Sequence, residues 1–359
     1  NSAKLNIVQR PISTVYLTKL YDASTTVQAS DLQTMSNLVG SETLTLTGTS
    51  TISDANIGTK TVNTGGFTLN NQAGANASSG GLASNYILSG GTHQLVINQR
   101  PLNATLARQY DGTTAAAGST VSSFDALQGG ETLTMTGSGT AASANVANGI
   151  AMSSNGNLAL ANGTGAASNY SLNSTVINIA KRVLNSSGSK IYDANTNALA
   201  GAITLSNLVS GEALNHSGTA TISSANVGSY TISNLSGISI ADGSGGAASN
   251  YTLTGGTHNF TVNRRVVGVS GTRLYDATTN AVASDLSTHA NLVGSETLTL
   301  SGTGTIASKD VGSNKTVSVG TLALGNGSNG GLAGNYTLSG GTHQLTVNRR
   351  PLNATLARQ

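Results

Sequence analysis

The chain has 359 residues and a net charge of +3; 9% of its residues are charged, 4% are aromatic, and there is no Trp and no Cys. That charge is too small for a nucleic-acid partner, the missing cysteines exclude a disulfide framework or a thiolate metal site, and no apolar run approaches the ~18 residues of a membrane span. Abundant Gly, Ser, Thr and Asn favour disorder, but the 37% hydrophobic content and the alternation of apolar residues with Thr indicate half-buried strands instead.

In chain order, residues 1–10 (NSAKLNIVQR) match a closing strand, as in HQLVINQR at 93–100. The clearest strand is Thr43-Leu44-Thr45-Leu46-Thr47, with its leucines on one face and its threonines on the other. It returns as Thr132-Leu133-Thr134-Met135-Thr136, and a glycine ends the run each time: Gly48, Gly137, Gly218 and Gly302. Further strands are predicted at Tyr86–Leu88, Leu95–Ile97, Leu102–Tyr110, Leu158–Leu160, Tyr230–Ile232 and Leu322–Leu324. A Gly/Ser/Asn/Ala loop such as 161–168 precedes each Asn-Tyr pair and is longest in the first unit. No segment carries a capped 3.6-residue apolar period.

These elements recur. Tyr-Asp stands at Tyr21-Asp22, Tyr110-Asp111, Tyr192-Asp193 and Tyr275-Asp276, in steps of 89, 82 and 83 residues. A glutamate follows after 20 or 21 positions (Glu42, Glu131, Glu212, Glu296), and fourteen residues later comes Asn56, Asn145, Asn226 or Asp310. An Asn-Tyr pair then ends on Tyr86, Tyr170, Tyr251 or Tyr336, and a basic residue closes the unit: Arg100, Arg182, Arg265 or Arg350. The predicted organisation is a closing strand at 1–10, repeats at 11–100, 101–182, 183–265 and 266–350, and the first strand of a further repeat at 351–359. Residues 351–359 copy 101–109 letter for letter, a higher-order period of 250 residues, so a longer parent is expected.

Six or seven short strands per repeat predict an all-β fold: a tandem array of small Ig-like Greek-key β-sandwich domains forming an elongated rod. Junctions as short as Arg100-Pro101 favour stiffness. A parallel β-helix is the alternative, but its rungs would impose a sub-period near twenty residues, and none is found.

The ordered set of motifs resembles the YDG-type repeat domain of large bacterial surface proteins: Tyr-Asp-Gly at 110–112, Gly-Glu or Ser-Glu, Asn-Val-Gly at 226–228, and Ala-Ser-Asn-Tyr. The resemblance covers nearly the whole chain. It implies filamentous-haemagglutinin-like adhesins exported by two-partner or related routes, hence a cell-surface location and roles in adhesion, biofilm or filaments. It transfers no catalytic residue.

The basic residue two before each Tyr-Asp tyrosine (Lys19, Arg108, Lys190, Arg273) could in principle form an isopeptide bond with Asn, but arginine cannot, so a charge pair is expected. Asp22, Asp111, Asp193 and Asp276 are too isolated for calcium and read as turn formers. One histidine per repeat (His93, His258, His343, with Thr175 in the second) cannot build a metal site, and His216 reads as a partly buried strand residue. Threonine strands that return once per repeat do not make an ice-binding face. The recurring tyrosines read as structural and buried within their own repeat. The expectation is a stalk or fibre of a secreted adhesin, with no enzymatic activity, cofactor or metal. Its partners would be neighbouring repeats, identical fibres or extracellular polysaccharide. The alternative is a multivalent carbohydrate-binding module.

Overall fold

The Leu-Thr alternation of the sequence reappears as burial. In Leu133–Thr136 Leu133 and Met135 point inward and the threonines outward. The computed structural model describes residues 4–12, 14–72 and 81–352. Among these the chain is all-β, with strands and single 3-10 turns and no α-helix. It divides into two compact units, Asn1–Ala180 and Lys181–Gln359. The glycine-rich stretch 73–80 and most of the strand expected at 351–359 lie outside the described residues.

The second repeat shows the plan. Its strands are β1 (Arg100–Gln109), β2 (Ala115–Ala117), β3 (Val121–Phe124), β4 (Leu133–Thr136), β5 (Ser138–Ala141), β6 (Ala147–Ser154), β7 (Ala159–Asn162) and β8 (Tyr170–Ala180). Six of them form one sheet in the order β2-β5-β6-β8-β1-β3, and β4 pairs with β7 in a second. The first and last strands are parallel neighbours, from Arg100 opposite Tyr170 to Gln109 opposite Ala180; every other pair in this repeat is antiparallel. Leu102, Ala104 and Leu106 on β1 and Ile177 and Ile179 on β8 are all buried. Several of the sheets curl into half-barrels.

The glycine after each Leu-Thr run marks where the chain leaves the small sheet for the large one. Gly48, Gly137, Gly218 and Gly302 all have positive φ, and a Cβ on any of them would sit 1.9–2.3 Å from a carbonyl oxygen of the facing strand. No other residue fits that crossing.

Three repeats bury a histidine at the start of their last strand. His93, His258 and His343 place Nε2 on the carbonyls of Leu88, Leu253 and Leu338, at 2.6, 2.8 and 2.8 Å. Each caps the turn leading into its strand. His216 sits on the carbonyls of Ala200 and Ile203.

Candidate functional site

The recurring residues converge on three small constructions, two within a repeat and one between repeats. The first is the turn after the Tyr-Asp tyrosine. Asp22, Asp111, Asp193 and Asp276 each accept a hydrogen bond on Oδ1 from the backbone N–H two residues on, at 2.9–3.2 Å. The residue between has left-handed φ: +58° at Ala23, +78° at Gly112, +62° at Ala194 and +64° at Ala277. Each aspartate also pairs with the basic residue three before it: Lys19, Arg108, Lys190 or Arg273. That cation reaches onward to loop carbonyls such as Thr26 O and Asn197 O. Both Lys and Arg can do this, which accounts for their exchange. An alanine at positive φ is strained by about 1–2 kcal/mol. Ala194→Gly is therefore expected to stabilise its repeat by about 0.5–1 kcal/mol after the entropy lost on ordering glycine, and Gly112→Ala to destabilise by a similar amount. Thermal melts of the two variants check both signs.

The second construction holds the glutamate. Val39, Gln128, Val209 and Val293 each open a tight turn that closes on a glutamate N–H, at 2.9–3.1 Å. The turn carries a positive-φ glycine: Gly40, Gly129 with Gly130, Gly211 or Gly294. The glutamate is thereby aimed at the Asn-Tyr tyrosine of its own repeat. Tyr170, Tyr251 and Tyr336 donate to Glu131, Glu212 and Glu296 at 2.6 Å, and Tyr86 donates to Glu42. Each phenol oxygen also accepts the N–H that opens the turn, at 3.0–3.1 Å.

The third construction joins repeats. Inside Asn1–Ala180, Tyr21 of the first repeat donates to Oε1 of Glu131 in the second, at 2.5 Å. One carboxylate thus holds two phenols, whose rings meet edge to face at 5.3 Å between centroids. Asn169, 1% exposed, accepts from Ile57 N–H at 3.1 Å and donates to Asn56 Oδ1 at 3.0 Å. Arg100 donates from Nε to the carbonyl of Tyr21 at 2.6 Å. Inside Lys181–Gln359 the same contacts return. Tyr192 donates to Glu296 at 2.7 Å, and its ring meets Tyr336 at 5.4 Å. Asn335 accepts from Val227 N–H and donates to Asn226 Oδ1, both at 2.9 Å. Arg265 reaches Tyr192 O at 3.3 Å. Both junctions also share apolar burial, since one continuous core runs from Ile12 and Tyr21 to Leu133 and Tyr170.

Tyr-Asp-Gly, Gly-Glu and Asn-Tyr are therefore parts of two turns and one latch. Residues 8–93, 98–177, 180–258 and 261–344 match the YDG domain family. The chain belongs to that family. No curated protein is detectably similar to it.

The YDG latch also alters the tyrosines. Burial, then the hydrogen bond to Glu131 and its negative charge, push the Tyr21 phenol up to about 12. Burial and Glu296 do the same to Tyr192 and Tyr336, each to about 12. A carboxylate already saturated by two phenols is arranged to hold rather than to react. The sequence reading places each tyrosine in the core of its own repeat. Tyr170 and Tyr336 are so placed, but Tyr21 and Tyr192 are buried against the next YDG repeat. The roles of Asn169, Asn335, Arg100 and Arg265 were not assigned from sequence, although their recurrence was the signal. The arginines, read as closing a repeat, open the first strand of the next, where Arg100 lies opposite Tyr170 and Arg265 opposite Tyr336.

Proposed function

We propose that this chain is a structural repeat region, the stalk or fibre of a secreted bacterial adhesin, in which successive Ig-like YDG repeats stack into a stiff elongated rod. One observation carries the reading: in both units the residues that recur from repeat to repeat are used to fasten one repeat to the next. A side chain spent in this way serves mechanical continuity. The same observation weighs against the carbohydrate-binding alternative, because in both latches the tyrosines that would stack on a sugar have buried rings and hydroxyls bonded to glutamate. A cell-surface location follows from the adhesin reading. A rod of four sandwiches, each spanning ten to twelve residues of strand, should reach on the order of 150 Å at ~3.3 Å per residue. Small-angle scattering is expected to give a maximum dimension near that value, and a particle of half that length would sink the rod.

A further inference from the structure

The latch has a receiving half and a donating half, and in this chain one of each is open. The first repeat carries an open receiving half. Glu42 takes the Tyr86 hydroxyl on Oε2, as Glu131 and Glu296 take their own tyrosines. In those two repeats Oε1 holds the phenol of the preceding repeat. Oε1 of Glu42 has no hydrogen-bond partner among the described residues. Asn85 is exposed, whereas its counterparts Asn169 and Asn335 are 1% and 2% exposed. Arg10 is gripped by Asn37 at 3.0 and 2.8 Å, as Asn291 grips Arg265, and Arg265 is an arginine that reaches an incoming tyrosine. A cleft of about 460 Å³ opens over these groups, lined by Val39, Glu42, Asn85 and Tyr86, with Ile7 and Val8 at its rim.

The fourth repeat carries the open donating half. The Tyr275 N–H donates to Asn348 O at 2.9 Å. Tyr21 and Tyr192 are anchored at the same length, to Asn98 and Asn263. The Tyr275 hydroxyl has no partner among the described residues, and its ring is half-buried, where Tyr21 and Tyr192 are fully covered. Val311 stands where Ile57 and Val227 pack into a latch, and it is 48% exposed. Asp310 replaces Asn56 and Asn226; with Oδ2 taken by Ser308, its other oxygen is left to accept an amide.

We propose that the first repeat of one molecule receives the fourth repeat of a second copy, Tyr275 donating to Glu42 while Asp310 and Val311 meet Asn85. The donors and acceptors match one for one, and the apolar residues exposed on the two surfaces, Val39 and Val311, are the kind the internal latches cover. The two patches differ, so the contact is heterologous and propagates head to tail rather than closing as a symmetric pair. It stands on the latch geometry alone and needs no assumption about adhesion. Residues 4–9, exposed at the cleft mouth, must move aside. Without the short tether that gives an internal junction an effective concentration near ~1 mM, the contact is weak.

The test is sedimentation velocity on the whole chain from roughly 10 μM to 1 mM, the range a tether would supply. A sedimentation coefficient that rises with concentration is expected. Glu42→Ala removes the receiving half and Tyr275→Ala the donating half, and each should weaken association at least tenfold. Tyr275→Phe, which keeps the ring and its packing, should weaken it in the same direction. An equimolar mixture of Glu42→Ala and Tyr275→Ala chains retains one productive pair of surfaces, so it should form a heterodimer and stop there. A chain that stays monomeric at ~1 mM would overturn the proposal. Association that none of the variants weakens, or a mixture that yields no heterodimer, would overturn it equally.

Discussion

Replacing Tyr170 by alanine is expected to destabilise the unit Asn1–Ala180 by about 3–5 kcal/mol, the usual range for truncating a buried aromatic. Tyr170 is 2% exposed, and three separate losses add at this position. The ring leaves a cavity and takes with it the edge-to-face contact with Tyr21, a geometry worth about 0.5–1.5 kcal/mol. Its hydroxyl leaves Glu131 with one phenol instead of two. The Gln128 N–H loses its acceptor and with it the anchor of the turn that aims the glutamate. The damage is therefore not confined to one repeat, because the Glu131 that Tyr170 positions is the group that Tyr21 grips from the first. At about 2–4 °C per kcal/mol for a unit of this size, the melting temperature should fall by roughly 6–20 °C. Scanning calorimetry of the four-repeat chain measures it. Unchanged melting together with lost binding on a glycan array would reverse the structural reading of these tyrosines.

The sequence shows that these residues matter but not which of them meet, and the reason lies in periodicity itself. Tyr21 is followed by a glutamate at 21 positions and by another at 110. In an array whose period is close to ninety residues these two spacings carry the same information. Nothing in the register tells whether Tyr21 bonds Glu42 or Glu131; it bonds Glu131. The same ambiguity hides Asn169, which looks forward to Tyr170 in sequence but back to Asn56 and Ile57 in space. What was legible depends on local chemistry. The Leu-Thr alternation forces strands, the Tyr-Asp-Gly triplet encodes an aspartate turn with a left-handed residue, and a basic residue three before an aspartate forms an ion pair. Opposite each invariant glycine of the Leu-Thr strand is a carbonyl that sequence cannot show, although the recurrence of the glycine points to a crowded site. The parallel pairing of first and last strands was likewise out of reach, since it joins residues about seventy positions apart with no turn between them to signal it.

Between pH 10 and pH 12 the latches are expected to weaken together. Tyr21, Tyr192 and Tyr336 ionise in the folded chain at about 12, whereas an unfolded tyrosine ionises near ~10. The folded state therefore binds the phenolic proton more tightly than the unfolded one. The resulting stabilisation is complete below pH ~10, falls as the pH rises, and is gone above pH ~12. Two pH units correspond to about 3 kcal/mol for each such tyrosine. The physical cause is direct: a phenolate has no proton to give to Glu131 or Glu296 and places a second negative charge against the carboxylate in a buried site. Arg100 and Arg265 do not offset this, because they hold the Tyr21 and Tyr192 backbone carbonyls rather than the phenols. Melting temperature followed alongside tyrosinate absorbance should show stability dropping in step with the late-ionising phenols. Tyr21→Phe keeps the ring against Tyr170 but has no proton to lose. That variant should begin less stable at neutral pH, by the ~1.5–3 kcal/mol of a charge-assisted hydrogen bond, and should then lose less on going to pH 12. If the wild-type and Phe variants decline in parallel, or if all the tyrosines titrate near 10 with no loss of stability, the shared carboxylate is not what holds successive repeats together.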